Sequence, residues 1–134
     1  DFYHRMNKKF EALKEHGVTE HGRVSHEELA KVMSQTKVWA YPTEFTEIFC
    51  ITAIKAQLAR CKSVITDVAA LKETGGSQAS VIETDLIYSD EYSRKKFVDA
   101  VVKALKSDEK IDPKEAKKYA WNKVAKQWLE VIDA

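Results

Sequence analysis

Apolar positions along the chain change their period several times, and each change marks an element. From 3 to 16 (YHRMNKKFEALKEH), Met6, Phe10 and Leu13 recur at helical spacing and the pattern stops at Gly17, which predicts an amphipathic helix closed by a glycine C′ residue. VTEHGRV (18–24) reads as a short extended segment. SHEE (25–28) is a capping box, with Ser25 as N-cap and Glu28 at N3, opening a helix whose apolar side is Leu29, Val32 and Met33. KVWAYP (37–42) has no polar alternation after Lys37, the pattern of a strand covered on both faces, as in a parallel sheet. A helix from Thr46 to Arg60 follows, with Ile48, Ile51, Ile54 and Leu58 on one side. SVIT (63–66) and, after Gly75 and Gly76, SVIE (80–83) read as further short strands.

Two helices close the pattern. One spans 89–106 and carries Phe97, Val98, Val101, Val102 and Leu105. The other spans 113–132, with Asp112 as N-cap, Pro113 at N1, Glu115 at N3 and a stripe of Trp121, Val124, Trp128 and Val131. Both stripes are read as core or interface packing. Alternating strands and helices imply an α/β three-layer sandwich with a parallel sheet. The first element is a helix and only three or four strands are legible, so residues 1–134 are expected to be one Rossmann-like domain, truncated at its N-terminus, from a larger sheet.

Composition narrows the chemistry. The 134 residues suffice for one core but not two. With 22 basic against 21 acidic side chains, no overall field favours nucleic acid. Cys50 and Cys61 lie on one predicted helix, about 16 Å apart along its axis, too far for a disulfide. They are read as buried thiols of a reducing compartment, and with no apolar run long enough to span a bilayer the expected location is cytoplasmic. His4, His16, His21 and His26 have no metal-ligand spacing, so no metal site is expected. The lysines of the first and last helices are read as a solvated face, with peripheral contact to a membrane as the functional option.

The candidate site is the turn after KVWAYP. In an open parallel sheet, ligands bind outside the carboxyl ends of strands, and a helix N-terminus there presents free N–H groups and about half a positive charge to a phosphate. Glu44 and Glu47 stand at that mouth. They suit either a carboxylate that meets sugar hydroxyls or simple complementation of the helix dipole, worth about 0.3–1 kcal/mol each. No glycine-rich phosphate loop is present.

HGRVSHEEL followed by KVWAYPTEFTEIFCITAIKAQ resembles the C-terminal, donor-binding half of retaining GT-B glycosyltransferases of the Glu-x7-Glu type, the group that uses nucleotide-diphosphate sugars. ALKET (70–74) takes the place of that family's loop ending in a glutamate, and KYAWNKVAKQWLEVI is similar to its closing helix, so the likeness runs from about residue 11 to 132. It implies transfer of a sugar with retention, independent of metal and without a cofactor. It also implies an acceptor domain on the N-terminal side, without which the piece transfers nothing. On the matching positions it assigns Glu47 to the donor sugar as the catalytic residue. It assigns Gly22, Arg23, Val24, Thr46, Phe49, Cys50, Ile51 and Lys55 to the donor. Lys55 stands where the family has its second, ribose-binding glutamate, Arg60 where it has a helix-ending glycine, and Cys50 where many members have glycine. The reading set against it is a degenerate, non-catalytic α/β module or structural fragment without donor binding.

Overall fold

The structure, a computed structural model, describes residues 1–133. Its elements run α1 (Phe2–Lys14), α2 (His26–Gln35), β1 (Val38–Tyr41), α3 (Ile51–Leu58), β2 (Lys62–Thr66), α4 (Leu71–Gly75), β3 (Ser80–Ile82), α5 (Glu91–Lys106), a 3₁₀ turn (Ala116–Tyr119) and α6 (Trp121–Ile132). The three strands form one parallel sheet in the order β1-β2-β3, with Val38 opposite Lys62 and Val64 opposite Ser80. Crossovers through α3 and α4 satisfy the long connection that parallel pairing needs.

Strand alternation divides the core. Trp39, Tyr41, Ile65 and Val81 point to one face, where they pack with Cys50, Ala53 and Leu71 of the α3–α4 side. Val38, Val64 and Ile82 point to the other, against Ile87 and the Phe97, Ala100, Val101 and Ala104 face of α5. Helices on both faces of a parallel sheet make the expected three layers. Beside them, α2 lays Met33 and Leu29 against Ala56, Ala59 and Cys61.

Local capping follows the sequence closely. Ser25 Oγ accepts the Glu28 N–H at 3.1 Å, and Asp90 accepts the Ser93 N–H at 2.9 Å to start α5. That bond and the one from the Ser93 hydroxyl hold the Asp90 carboxyl below its usual range. Gly17, at φ 83°, closes the first helix in a left-handed turn, with the Val18 N–H reaching the Leu13 carbonyl.

Several expected elements differ. Residues 18–24 form no strand. The helix expected from Thr46 begins only at Ile51, because Pro42 to Phe49 run as an irregular crossover loop. Of its expected stripe only Ile54 is buried: Ile48 is 90% exposed and Ile51 and Leu58 also face out, while Ala53, Ala56 and Gln57 complete the buried face. Small and polar residues are chosen here because α3 lies close over the sheet and α4, where Gln57 Nε2 donates to the Thr74 carbonyl at 2.7 Å. In β1, Ala40 is exposed and the other three residues are only half-buried, so the strand is covered on both faces only in part.

The last helix is likewise divided. Glu115 does not complete a capping box; its carboxylate accepts the backbone N–H of Ser77 at 2.9 Å and the Ser77 hydroxyl. The chain passes through a 3₁₀ turn and an extended Ala120 before α6. The stripe of α6 is exposed, with Trp121 at 85% and only Val124 half-buried. On α5, Val98, Val102 and Leu105 face solvent, since the alanines at 100 and 104 complete the inward row with Phe97 and Val101. No helix among the described residues is long and apolar enough to cross a membrane.

α3 ends in a Schellman motif: Cys61 N–H donates to Ala56 O and Arg60 N–H to Gln57 O, each at 2.9 Å, with Arg60 at φ 62°. A side chain in that left-handed conformation costs about 1–2 kcal/mol, partly offset by the extra unfolded-state freedom of glycine. Arg60→Gly is therefore expected to stabilise the fold by about 1 kcal/mol, raising Tm by about 2–4 °C in thermal denaturation. An unchanged or lowered Tm would show that the Arg60 side chain contributes more than its backbone costs.

Candidate functional site

The carboxyl ends of β1 and β2 are tied together before any ligand is considered. Thr66, fully buried at the end of β2, donates its hydroxyl to the Thr43 carbonyl at 2.6 Å, and the same oxygen lies 3.3 Å from the Thr43 N–H. The Thr43 hydroxyl accepts the Phe45 N–H at 3.0 Å. This clasp fixes where the crossover loop leaves β1, and so where Glu44 and Glu47 stand.

The two glutamates are both engaged. Glu44 accepts the Tyr88 N–H at 2.6 Å, bridging the β1 crossover to the segment after β3. Glu47, half-buried, accepts the Tyr41 hydroxyl at 2.8 Å, and its backbone carbonyl accepts the Ala70 N–H at 3.0 Å from the β2–α4 turn. In that turn Ala69 is left-handed at φ 49°. Tyr41 thus aims Glu47, and Trp39 stacks on Tyr41 with ring centroids 5.4 Å apart. The hydrogen bond to Glu47, followed by burial, holds the Tyr41 phenol above its ordinary value.

Glu47 stands one loop turn short of the helix rather than on it. Cys50 is the N-cap residue, and Ala53 and Ile54 N–H groups already reach the Cys50 carbonyl. Ile51 and Thr52 therefore carry the amides at the open end of α3. The expected pairing of the Phe49 and Cys50 amides with a helix dipole does not hold, because both residues precede the helical turn. Cys50 is buried, and burial, opposed by the neighbouring Ala53 N–H, pushes its thiol up; burial does the same to Cys61. Phe49 turns its ring to Tyr119 in an edge contact at 5.4 Å. Thr46 is exposed.

Of the remaining expected residues, Gly22 is left-handed at φ 63° and exposed, Val24 is half-buried, and Arg23 is exposed with no ion pair or side-chain hydrogen bond among the described residues. Lys55 lies one turn along α3 and turns to α2, where its Nζ is 3.0 Å from His26 Nδ1. The structure therefore gathers Glu47, Phe49, Cys50 and Ile51 in one turn and sets Lys55 apart with His26. ALKET is not a loop: it supplies α4, with Leu71 and Thr74 buried. Tyr41, Thr43, Thr66 and His26 were not singled out by sequence as site residues. Thr66 closes β2 and Thr43 lies two residues beyond β1, and this position at strand ends is the one local signal available; the His26 pairing spans 29 positions and has none. Among the described residues no three His, Cys, Asp or Glu side chains converge as a metal site.

The fold and this rim define an open parallel α/β unit with a carboxylate held at a strand-to-helix crossover. Comparison with known proteins finds no matching protein family, no matching curated protein and no matching solved structure.

The Tyr41–Glu47 bond has a measurable signature. A raised folded-state value means the neutral phenol is favoured, so its contribution to stability is present below pH 10 and lost as pH rises through the higher folded value. Ultraviolet titration, with Tyr41 assigned by difference from Tyr41→Phe, is expected to show this phenol ionising last. Glu47→Gln is expected to return it toward the ordinary value; an unmoved midpoint would mean that the bond is not formed in solution.

Proposed function

We propose that the chain is the donor-binding part of a GT-B glycosyltransferase that transfers a sugar from a nucleotide diphosphate with retention. The observation that carries the reading is Glu47, half-buried at the carboxyl end of β1 and aimed by Tyr41 beside the open N-terminus of α3. One carboxylate oxygen takes the Tyr41 hydroxyl, which leaves the second to accept from a sugar hydroxyl. The Ile51 and Thr52 amides, with the helix dipole behind them, would meet the charge that builds on the departing diphosphate. Arg23, exposed and free of protein partners among the described residues, is the cation that would meet that diphosphate. The acceptor and its domain belong to another part of the enzyme.

A specific observation supports the second reading, a non-catalytic α/β module. Lys55 holds His26 where the resemblance calls for a ribose-binding carboxylate, and an ammonium cannot accept from ribose hydroxyls.

Both readings meet in one titration. UDP- and GDP-sugars are added to the chain while Trp39 fluorescence and heat of binding are followed. The donor reading expects dissociation constants of about a millimolar, a several-fold loss for the sugar nucleotide in Glu47→Ala, and a gain in Lys55→Glu. Silence of both the wild type and Lys55→Glu at several millimolar ligand would overturn it in favour of the module.

A further inference from the structure

The α2–α3 cleft lies outside the crossover loop and away from Glu47. His26, Ala30, Met33 and Ser34 stand on one side of α2, at the i, i+4, i+7 and i+8 positions of a single helical face. Lys55, Leu58 and Ala59 stand on the facing side of α3 at i, i+3 and i+4. The helices touch through buried Met33 against Ala56 and Cys61. Above that contact Ala30, Ser34 and Ala59 are small, and the helices leave a cleft of about 310 Å³. That is the low end of small-molecule sites.

Its chemistry is asymmetric. Alanine, methionine and leucine side chains form the walls, and no carboxylate lines it. At one end Lys55 Nζ lies 3.0 Å from His26 Nδ1, a nitrogen able to accept from the ammonium when the ring carries its hydrogen on Nε2. Lys55 forms no ion pair among the described residues. A half-buried cation beside an apolar cleft, met by an imidazole and no carboxylate, is complementary to an anion that brings its own apolar body.

We propose that this cleft binds a phosphate monoester of a flat aromatic group. The aromatic body lies between Ala30, Leu58 and Ala59 with its edge on the Met33 thioether, a contact sulfur favours. The phosphate sits against Lys55, a compact point charge suited to a tetrahedral anion rather than the planar fork that selects carboxylates. The phosphate displaces Nδ1 as the acceptor for the Lys55 ammonium, and His26 can then turn its Nε2–H to the same anion. This inference does not depend on the glycosyltransferase reading, although both employ Lys55.

The test uses 1-naphthyl phosphate, with 1-naphthol and inorganic phosphate as the two halves of the ligand, followed by calorimetry and by NMR of the Met33 methyl and the His26 ring. The ester is expected to bind at least tenfold more tightly than either half and to shift both reporters. Lys55→Met is expected to weaken it at least tenfold, and Ala30→Phe, a change on the exposed face of α2 that fills the cleft, to do so with Lys55 intact. Equal binding by Lys55→Met, equal binding by Ala30→Phe, or no shift at Met33 up to several millimolar ester would each overturn the proposal. If the ester binds while nucleotide sugars are silent, only the donor reading fails; if the sugars bind and the ester does not, only this one does.

Discussion

The central strand β2 is the constraint on which everything else hangs. It is the only strand paired on both edges, and four of its five residues are buried: Val64 meets α5, Ile65 meets α3 and α4, and Thr66 holds the crossover loop. β1 and β3 also send side chains to both layers, but their residues are at most half-buried, so β2 contributes the fully buried part of each face. The β1 crossover is positioned relative to β2 by the Thr43–Thr66 clasp, so the site inherits its geometry from the core. Lys62, at the opposite end of the same strand, donates to the carbonyls of Ala104 and Ser107 and closes the C-terminal end of α5. Both ends of β2 thus bond to the elements that flank it.

Around that strand the polar side chains of the crossover are mostly spoken for. Glu44 secures the chain after β3, Gln57 secures α4, and Glu115 with Gln78 fastens the segment before the 3₁₀ turn to the loop before β3. Glu47 is different in that its one side-chain bond is to a tyrosine hydroxyl, a donor that orients a carboxylate without neutralising it. Lys55, by contrast, is oriented by an imidazole on another helix, which directs its charge away from the loop and into the α2–α3 cleft.

The exposed apolar stripes of α6 and α5 mark where periodicity misleads. Trp121, Trp128 and Val131 repeat at perfect helical spacing, yet α6 is joined to the rest chiefly through the 3₁₀ turn and buries none of its residues completely. On α5 the large residues at 98, 102 and 105 lie outward while alanines at 100 and 104 face the sheet. Hydrophobicity identifies a face able to be buried; proximity of a neighbouring layer decides which face is, and close layers select small side chains.

What sequence alone determined were features whose cause is local: three strands from apolar runs bounded by turn residues, the Ser25 N-cap and the Gly17 helix end. Each rests on interactions within a few residues, so a linear reading contains it. The late start of α3, the Tyr41 hold on Glu47 and the Lys55–His26 pair were decided only in three dimensions. In each, the deciding partner or packing surface belongs to another element, and a hydrogen bond 29 residues apart leaves no periodic trace along the chain.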